Sequence, residues 1–405
     1  MNNIPLYISQ PGLICGAGLQ ISSLWHSLIT GSQKGICDTT AVDGTHFYVC
    51  KIEDQALKTT KARFPMRIIQ IENMALSQLG SNVALIREKY GADRIAVCVG
   101  SCDNGSERSI AAHRIYFEKG VFPDSYSLEE QGADYVATFI AEKFKLTGPA
   151  MTFSTACSSS ATAIARAADM IQSGIVDAAI VGGVDVISDT VLLGFNSLEA
   201  VSHTITNPFS KNRTGITLGE GAAFFILSKE RLDSDIQLLG YGESADAHHI
   251  TSPDPDGTGA IACMTQALRS AGLKPEDIDY INLHGTGTHL NDSMESKAVD
   301  SVFGSYKVPV STTKPITGHT LGAAGALEVA VCFASIAYNE ESTSLDIRLP
   351  VQVWDFDQDE KLPDLNFVTE NIRTPSGKVR YCLSNTFAFG GCNVTLVIGR
   401  TNDSD

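Results

Sequence analysis

Basic charge is scarce in this chain. Thirty Lys and Arg stand against 46 Asp and Glu, a formal net charge of -16. That balance excludes general nucleic-acid binding, which needs a basic footprint, and leaves room only for a local basic patch. Long apolar runs are also missing. The run 327–337 is broken by Glu328 and Ser335 and is too short to cross a bilayer. The leading Met-Asn-Asn-Ile-Pro has no basic segment followed by an apolar one, so no secretory signal is expected. The ten cysteines, at 15, 37, 50, 98, 102, 157, 263, 332, 382 and 392, show no C-x-x-C pair. That argues against a zinc site and leaves reduced thiols in the cytoplasm as the expectation. There is no P-loop, no G-x-G-x-x-G in a βαβ setting, no H-E-x-x-H around His284 and His289, and no G-x-S-x-G turn.

What is present is a well-buried composition. Hydrophobic residues make up 43% and charged residues 19%, as in a globular enzyme rather than a disordered chain. Strand-like and helix-like segments alternate. Strands are expected at 4–9, 95–100, 149–153, 176–183 and 223–227, with helices at 21–30, 68–85, 132–145 and after Cys157 as far as Gly174. Residues 35–60 read as loop. Near 228–235 charge density rises and the apolar pattern stops, which sets a boundary between halves at 1–232 and 233–405. The second half repeats the alternation. Its strands are expected at 236–241, 280–284, 308–311, 379–384 and 394–398, and its helices at 259–271, 292–303 and 321–338. The whole predicts an α/β protein with a largely parallel sheet and hints at an internal duplication.

Four polar or glycine-rich turns fall at strand ends, where ligands gather in such sheets. In Ser154-Thr-Ala-Cys157-Ser-Ser-Ser160 a cysteine sits between a strand and a helix whose apolar residues recur at 161, 164, 165, 168 and 171. A helix start favours a thiolate, so Cys157 reads either as a nucleophile or as a small buried hydrophobe. The other three turns are His284-Gly-Thr-Gly-Thr288, Lys314-Pro-Ile-Thr-Gly-His319-Thr-Leu-Gly-Ala-Ala-Gly325 and Phe387-Ala-Phe389-Gly-Gly391. Each histidine alone is either an ordinary satisfied residue or a neutral N–H donor to a developing oxyanion. His319 near a helix start would stay neutral. Lys314 is either a surface cation or the group that sets the electrostatics of His319. One nucleophile and two histidines at three strand ends make a plausible acyl-transfer site. The run Lys58, Lys61, Arg63, Arg67 collects four basic residues in an acidic chain, as a solvated segment or a dock for an acidic partner.

Taken together these motifs resemble those of the β-ketoacyl-acyl carrier protein synthases, in order and approximate spacing, over about residues 4–400. Gly148-Pro149, Asn207-Pro-Phe and Gly219-Glu-Gly-Ala222 are similar to the family as well. The resemblance implies a thiolase-like fold, a duplicated five-layered αβαβα core, usually a homodimer. The two histidines match the elongating Cys-His-His subclass better than the Cys-His-Asn subclass that primes from coenzyme A. It implies that Cys157 takes an acyl group from a carrier protein's 4'-phosphopantetheine arm, with no other cofactor and no metal. The backbone N–H groups of Cys157 and Phe389 would form the oxyanion hole, and His284 and His319 would handle the malonyl unit. Lys314 and Glu295 match an ion pair that organises the histidines, Thr286 and Thr288 match pantetheine contacts, and Phe389 matches a gate beside the acyl pocket.

Three positions depart from the bacterial pattern. Ala388 stands where glycine separates the two phenylalanines. Ser210 replaces an aspartate. Asp103 falls where an apolar residue closes the acyl pocket, and the segment 105–132 reads as short. A carboxylate beside an alkyl chain is costly unless paired, so these departures point to a specialised polyene, aryl or polyketide substrate. The basic run becomes the candidate dock for an acidic acyl carrier protein. A thiolase using Cys392 as base fits less well, because thiolases lack the His-Gly-Thr-Gly-Thr form. A non-catalytic chain-length-factor-like subunit fits less well because Cys157, His284 and His319 are all present. The chain as the catalytic half of a heterodimer with such a paralogue stays open.

Overall fold

In the computed structural model, residues 4–103, 105–339, 346–369, 372–373 and 378–401 are described. Residues 1–3, Asn104, parts of 340–377 and residues 402–405 lie outside them. The first half runs β1 (Tyr7–Ile8), β2 (Gly12–Cys15), α1 (Ile21–Thr30), β3 (Ile36–Thr40), β4 (His46–Cys50), α2 (Arg67–Ser77), α3 (Asn82–Tyr90) and β5 (Ile95–Gly100). It continues through α4 (Ser106–Lys119), α5 (Tyr135–Phe144), β6 (Ala150–Phe153), α6 (Ser159–Gln172), β7 (Ala178–Asp185), α7 (Asp189–Ser197), β8 (Leu218–Gly219) and β9 (Gly221–Ser228). The second half runs β10 (Gln237–Ala245), α8 (Thr258–Ala271), β11 (Tyr280–Asn282), α9 (His289–Phe303), β12 (Pro309–Ser311), α10 (Lys314–Thr317) and α11 (Ala324–Ala337). It ends with β13 (Asp346–Ile347), β14 (Asn366–Phe367), β15 (Ile372–Arg373), β16 (Tyr381–Phe387) and β17 (Cys392–Gly399).

The pairing repeats. One continuous sheet has the order β14-β12-β11-β16-β17-β10-β1-β9-β7-β5-β6. In the first half β1 pairs antiparallel with β9, β9 antiparallel with β7, β7 parallel with β5 and β5 parallel with β6. In the second half β10, β17, β16, β11 and β12 follow in the same order with the same directions. The duplication hinted at by the alternation is thus a repeat of topology.

Apolar burial sorts into three main clusters separated by the two halves of the sheet. The outer cluster of the first half joins α2 and α5 to one face of β5, β7 and β9. The outer cluster of the second half joins α8 and α9 to β11, β16 and β17. The middle cluster joins α6 and α11 to the inner faces of both. That gives five layers, helix, sheet, helix, sheet, helix. Of the two inner helices, α11 is almost wholly apolar because it is covered on all sides, with every residue from Ala324 to Ile336 buried, while α6 leaves Arg166, Asp169, Met170 and Gln172 partly open. Small residues let their starts touch: a Cβ on Gly325 would lie 2.9 Å from the Cβ of Ala161. This contact brings the two strand-to-helix turns, one from each half, to one point.

Several sequence expectations are corrected. The helix expected at 68–85 is two helices, broken by Gly80 in the left-handed region (φ 56°). The loop expected at 35–60 contains the hairpin β3–β4, turned at Asp43-Gly44, where Gly44 has φ 89°. Within 105–132 lies α4, which shows no apolar stripe and buries only Ala112 among its residues.

Candidate active site

Cys157 sits in a tight turn between β6 and α6, opened by Ala156 at φ 52°. Its thiol is buried, and its Sγ lies 3.0 Å from Nε2 of His319. Burial pushes the thiol up to about 11, against the pull of Lys314 and of the backbone N–H groups of Phe389 and of Cys157 itself. The resting group is a neutral thiol, and two backbone donors already stand beside its sulfur, ready to meet the carbonyl oxygen of an acyl group attacked there.

His284 follows β11, and His319 follows the short helix α10, held by its N–H to the Thr217 carbonyl at 2.7 Å. The two rings meet edge to face with centroids 5.4 Å apart. Burial first, then the neighbouring Lys314, holds both imidazoles well below the usual histidine range, so both are neutral near pH 7. Lys314 Nζ approaches Nδ1 of His284 at 3.5 Å. A lysine ammonium only donates, so that nitrogen accepts and the ring proton sits on Nε2. Sulfur and one nitrogen from each ring lie within 4.8 Å of one another.

The expected Lys314–Glu295 ion pair is not the one that forms. Lys314 Nζ bonds Glu328 Oε1 at 2.6 Å and the His284 carbonyl. Glu295 instead accepts the backbone N–H groups of His284 and Gly285, each at 2.7 Å, and burial pushes it up to about 8. Glu328 is the residue sequence reasoning missed. The available signal was a lone carboxylate in the Ala-rich run of α11, buried against its charge preference. Asp292 was also missed; it accepts the N–H groups of Thr286, Gly287 and Phe209 and so shapes the His284 loop.

A cavity of about 260 Å³ opens onto Cys157, His284 and His319. Thr286, Thr288, Phe387, Ala388 and Phe389 line it, and the Phe389 ring stacks on Phe195 of α7 at 5.9 Å. The hydroxyls of Thr286 and Thr288 lie 3.0 Å apart. The described lining does not include Asp103. Its buried carboxylate accepts the Ser106 hydroxyl at 2.8 Å and the Ser188 hydroxyl, which is how the fold tolerates it. Ser210, at the other departure, donates to Asp355 at 3.1 Å.

The basic run is only partly available. Arg67 is tied to the buried Glu220 and to Asp54, so it is spent inside the fold. Arg63 pairs with Glu129 on the surface, while Lys58 and Lys61 are exposed. The correction has a simple cause: Glu220 is fully buried and its charge has to be met from within.

A cysteine turn, two neutral histidines and a buried Lys–Glu pair around one apolar cavity on a duplicated α/β core define a cysteine-dependent acyl-transfer protein of thiolase-like fold. The beta-ketoacyl synthase N-terminal domain matches residues 71–232 and the beta-ketoacyl synthase C-terminal domain matches 236–347. The chain is 31% identical to the 3-oxoacyl-[acyl-carrier-protein] synthase 2 of Coxiella burnetii, with 97% of each covered. It is 30% identical to that of Staphylococcus aureus, with 98% of each covered. Among solved structures, the Xenorhabdus doucetiae ketosynthase ApeO, in complex with its chain length factor ApeC, matches at 36% identity and a TM-score of 0.88 over 98% of each chain. The ishigamide ketosynthase/chain length factor matches at 26% and 0.84, covering 99% of this chain and 100% of that one. The chain belongs to the β-ketoacyl synthase family. No described helix is long and apolar enough to cross a membrane.

Proposed function

We propose that this enzyme joins an acyl group to malonyl-carrier protein by decarboxylative Claisen condensation, in fatty acid or specialised polyketide or polyene synthesis. The observation that carries this reading is Cys157 Sγ 3.0 Å from Nε2 of a neutral His319, with His284 in ring contact beside it. In the first half-reaction the Cys157 sulfur attacks the thioester carbonyl of an acyl chain held on 4'-phosphopantetheine. The oxyanion is met by the N–H groups of Cys157 and Phe389, and the pantetheine thiol leaves with the proton. In the second, Nε2–H of His284, with His319, donates to the malonyl thioester carbonyl as the C–CO2 bond breaks. The enolate then attacks the acyl-Cys157 carbonyl, a C–C bond forms, and the Cys157 sulfur leaves and is reprotonated. Decarboxylation supplies the carbanion, so no base stronger than imidazole is required.

In this reading Lys314 keeps both histidines neutral, with Glu328 as its partner and Glu295 holding the His284 backbone. Thr286 and Thr288 contact the pantetheine arm, and Phe389 with Ala388 gates the acyl pocket. Asp103, outside the cavity lining and held by Ser106 and Ser188, has no direct substrate contact in this reading. Lys58 and Lys61 are the remaining candidates for carrier-protein docking. The halves 1–232 and 233–405 carry the nucleophile and the histidines respectively, a division supported by the gap between the two family matches. We infer a partner of the same fold, a chain-length-factor-like paralogue rather than a second copy, because two structural relatives above 25% identity are ketosynthases paired with such a factor. Exposed Tyr116, Phe117 and Phe122 on and after α4 offer an apolar patch of the kind such a partner covers. A cytoplasmic location suits an enzyme whose ten cysteines are all free.

The test is reconstitution. Acyl-carrier protein and malonyl-carrier protein are incubated with the enzyme, alone and with its co-expressed paralogue, and the carrier products are weighed intact. The expected result is a β-ketoacyl product two carbons longer. Carrier products unchanged in mass under both conditions would overturn the reading.

A further inference from the structure

The strand order repeats in the two halves, and so do their strand-to-helix turns. Ala156, at φ 52°, opens the turn before α6, and Leu321, at φ 50°, opens the turn before α11. Counting from these residues, Cys157 in the first half corresponds to Gly322 in the second. The strand ends that face the turns correspond as well. Asp185 ends β7 opposite Gly221 of β9, and Phe387 ends β16 opposite Asn393 of β17. Phe387 lines the cavity beside Cys157. Its counterpart, Asp185, reaches the silent turn, where its Oδ2 accepts the Gly322 N–H at 2.6 Å.

The carboxylate is fully buried and collects more donors than this one. It accepts the Ser101 hydroxyl at 3.3 Å, the Cys102 N–H at 3.0 Å and the Asp103 N–H at 2.9 Å. The loop that supplies those donors touches the active turn, since the Cys102 thiol donates to the Ala156 carbonyl at 3.3 Å. Gly322 lies three residues beyond His319. Asp185 therefore ties the His319 segment to the Cys157 turn. A carboxyl suits this place because both its oxygens accept: burial pushes it up to about 7, and the N–H groups of Asp103, Cys102 and Gly322 pull the other way. An amide of the same shape would turn an NH2 group toward donors and leave some of them unpaired. The fit is close: a Cβ on Gly322 would meet Asp185 Oδ2 at 2.7 Å and the Ser101 Cα at 2.9 Å.

We propose that Asp185 is a positioning residue of this site: its carboxyl oxygens fill the second turn, take the backbone donors that converge there and hold His319 against Cys157. The proposal rests on the condensing function inferred above. The experiment compares wild type with Asp185→Asn, Asp185→Glu and Gly322→Ala, reading kcat and KM for condensation and the pH profile of Cys157 alkylation by iodoacetamide. Misplacing a reacting group by an ångström costs about 10²-fold, so Asp185→Asn is expected to lower kcat about 10- to 100-fold with KM for the carrier substrates within about twofold. The alkylation profile shifts from that of wild type, Gly322→Ala repeats the loss, and Asp185→Glu recovers part of it because both acceptor oxygens return. Folded Asp185→Asn and Gly322→Ala enzymes with wild-type kcat and alkylation profiles would overturn the proposal. Asp185→Glu no better than Asp185→Asn, or a rise in KM alone, would count against it in the same way. If Asp185→Asn does not fold, Gly322→Ala decides. A wild-type enzyme that alkylates at Cys157 yet never condenses would sink the condensing function, while the alkylation profiles still decide the role of Asp185.

Discussion

In the first half of the chain the turn after the outer parallel strand presents Cys157 to a cavity. In the second half the same turn presents Gly322 to the carboxylate of Asp185. The backbones are alike, and the stretches leading into them are not. Residues 154–155 connect β6 directly to the first turn, whereas residues 312–320 intervene before the second. That longer approach contains Lys314 on α10 and His319, the groups that serve the turn of the other half. A duplicated scaffold has thus been divided by task. One copy keeps the nucleophile and an open anion site, and the other closes its anion site internally and sends its chemistry across the contact between α6 and α11.

Cys157→Ala erases the difference between the turns and has the largest expected effect. Condensation falls by more than about 10³-fold, while release of CO2 from malonyl-carrier protein, which uses the histidines of the second half, persists. A variant that still condenses would break the division of tasks. In the same variant the pH dependence of CO2 release tests the histidines alone. Their pKa values are lowered, so they gain protons only well below 6.5, and the rate is expected to stay level from pH 6 to 8. A fall as pH drops through 6.5 would show that charged imidazole forms in that range.

Glu328 and Glu295, two buried carboxylates of the second half, separate next. Glu328→Gln leaves Lys314 buried without its counter-charge, which costs about 3–5 kcal/mol and lowers the melting temperature. Glu295→Gln removes an acceptor of two N–H groups from a carboxyl already pushed up to about 8, and costs about 1–3 kcal/mol. Thermal melts in which Glu295→Gln is the more damaging would restore the pairing expected from sequence. The smallest effect belongs to the surface of the first half. Reversing Lys58 and Lys61 together should raise KM for carrier-bound substrates several-fold at low salt, leave kcat alone and lose its effect at high salt. A KM that does not respond to the reversal at any salt would remove the dock.

Much of the site was legible because its three reacting groups each sit in a glycine-rich motif at a strand end. His284, His319 and Cys157 announce themselves by local context. Glu328 did not, because its partner Lys314 lies a turn of chain and a packed helix away, and pairing through space leaves no local spacing to read. Asp185 was hidden for a related reason: it lies past the strand expected at 176–183, which the structure extends to it, and its donors come from 101–103 and 322. Helix α4 was missed because only Ala112 among its residues is buried, so no apolar period marks it. The hairpin β3–β4 did carry a signal, Asp43-Gly44, outweighed by the mixed character of the flanking strands. The fold-level reading succeeded where burial imposes a pattern and failed where elements lie on the surface.

The central claim is that Cys157 carries the acyl chain. Intact mass measurement of the enzyme after exposure to acyl-carrier protein alone, followed by peptide mapping, tests it directly. The predicted result is one acyl adduct per chain, on the peptide containing Cys157 and absent from Cys157→Ala. No adduct, or an adduct on Cys102 or Cys392, would contradict it.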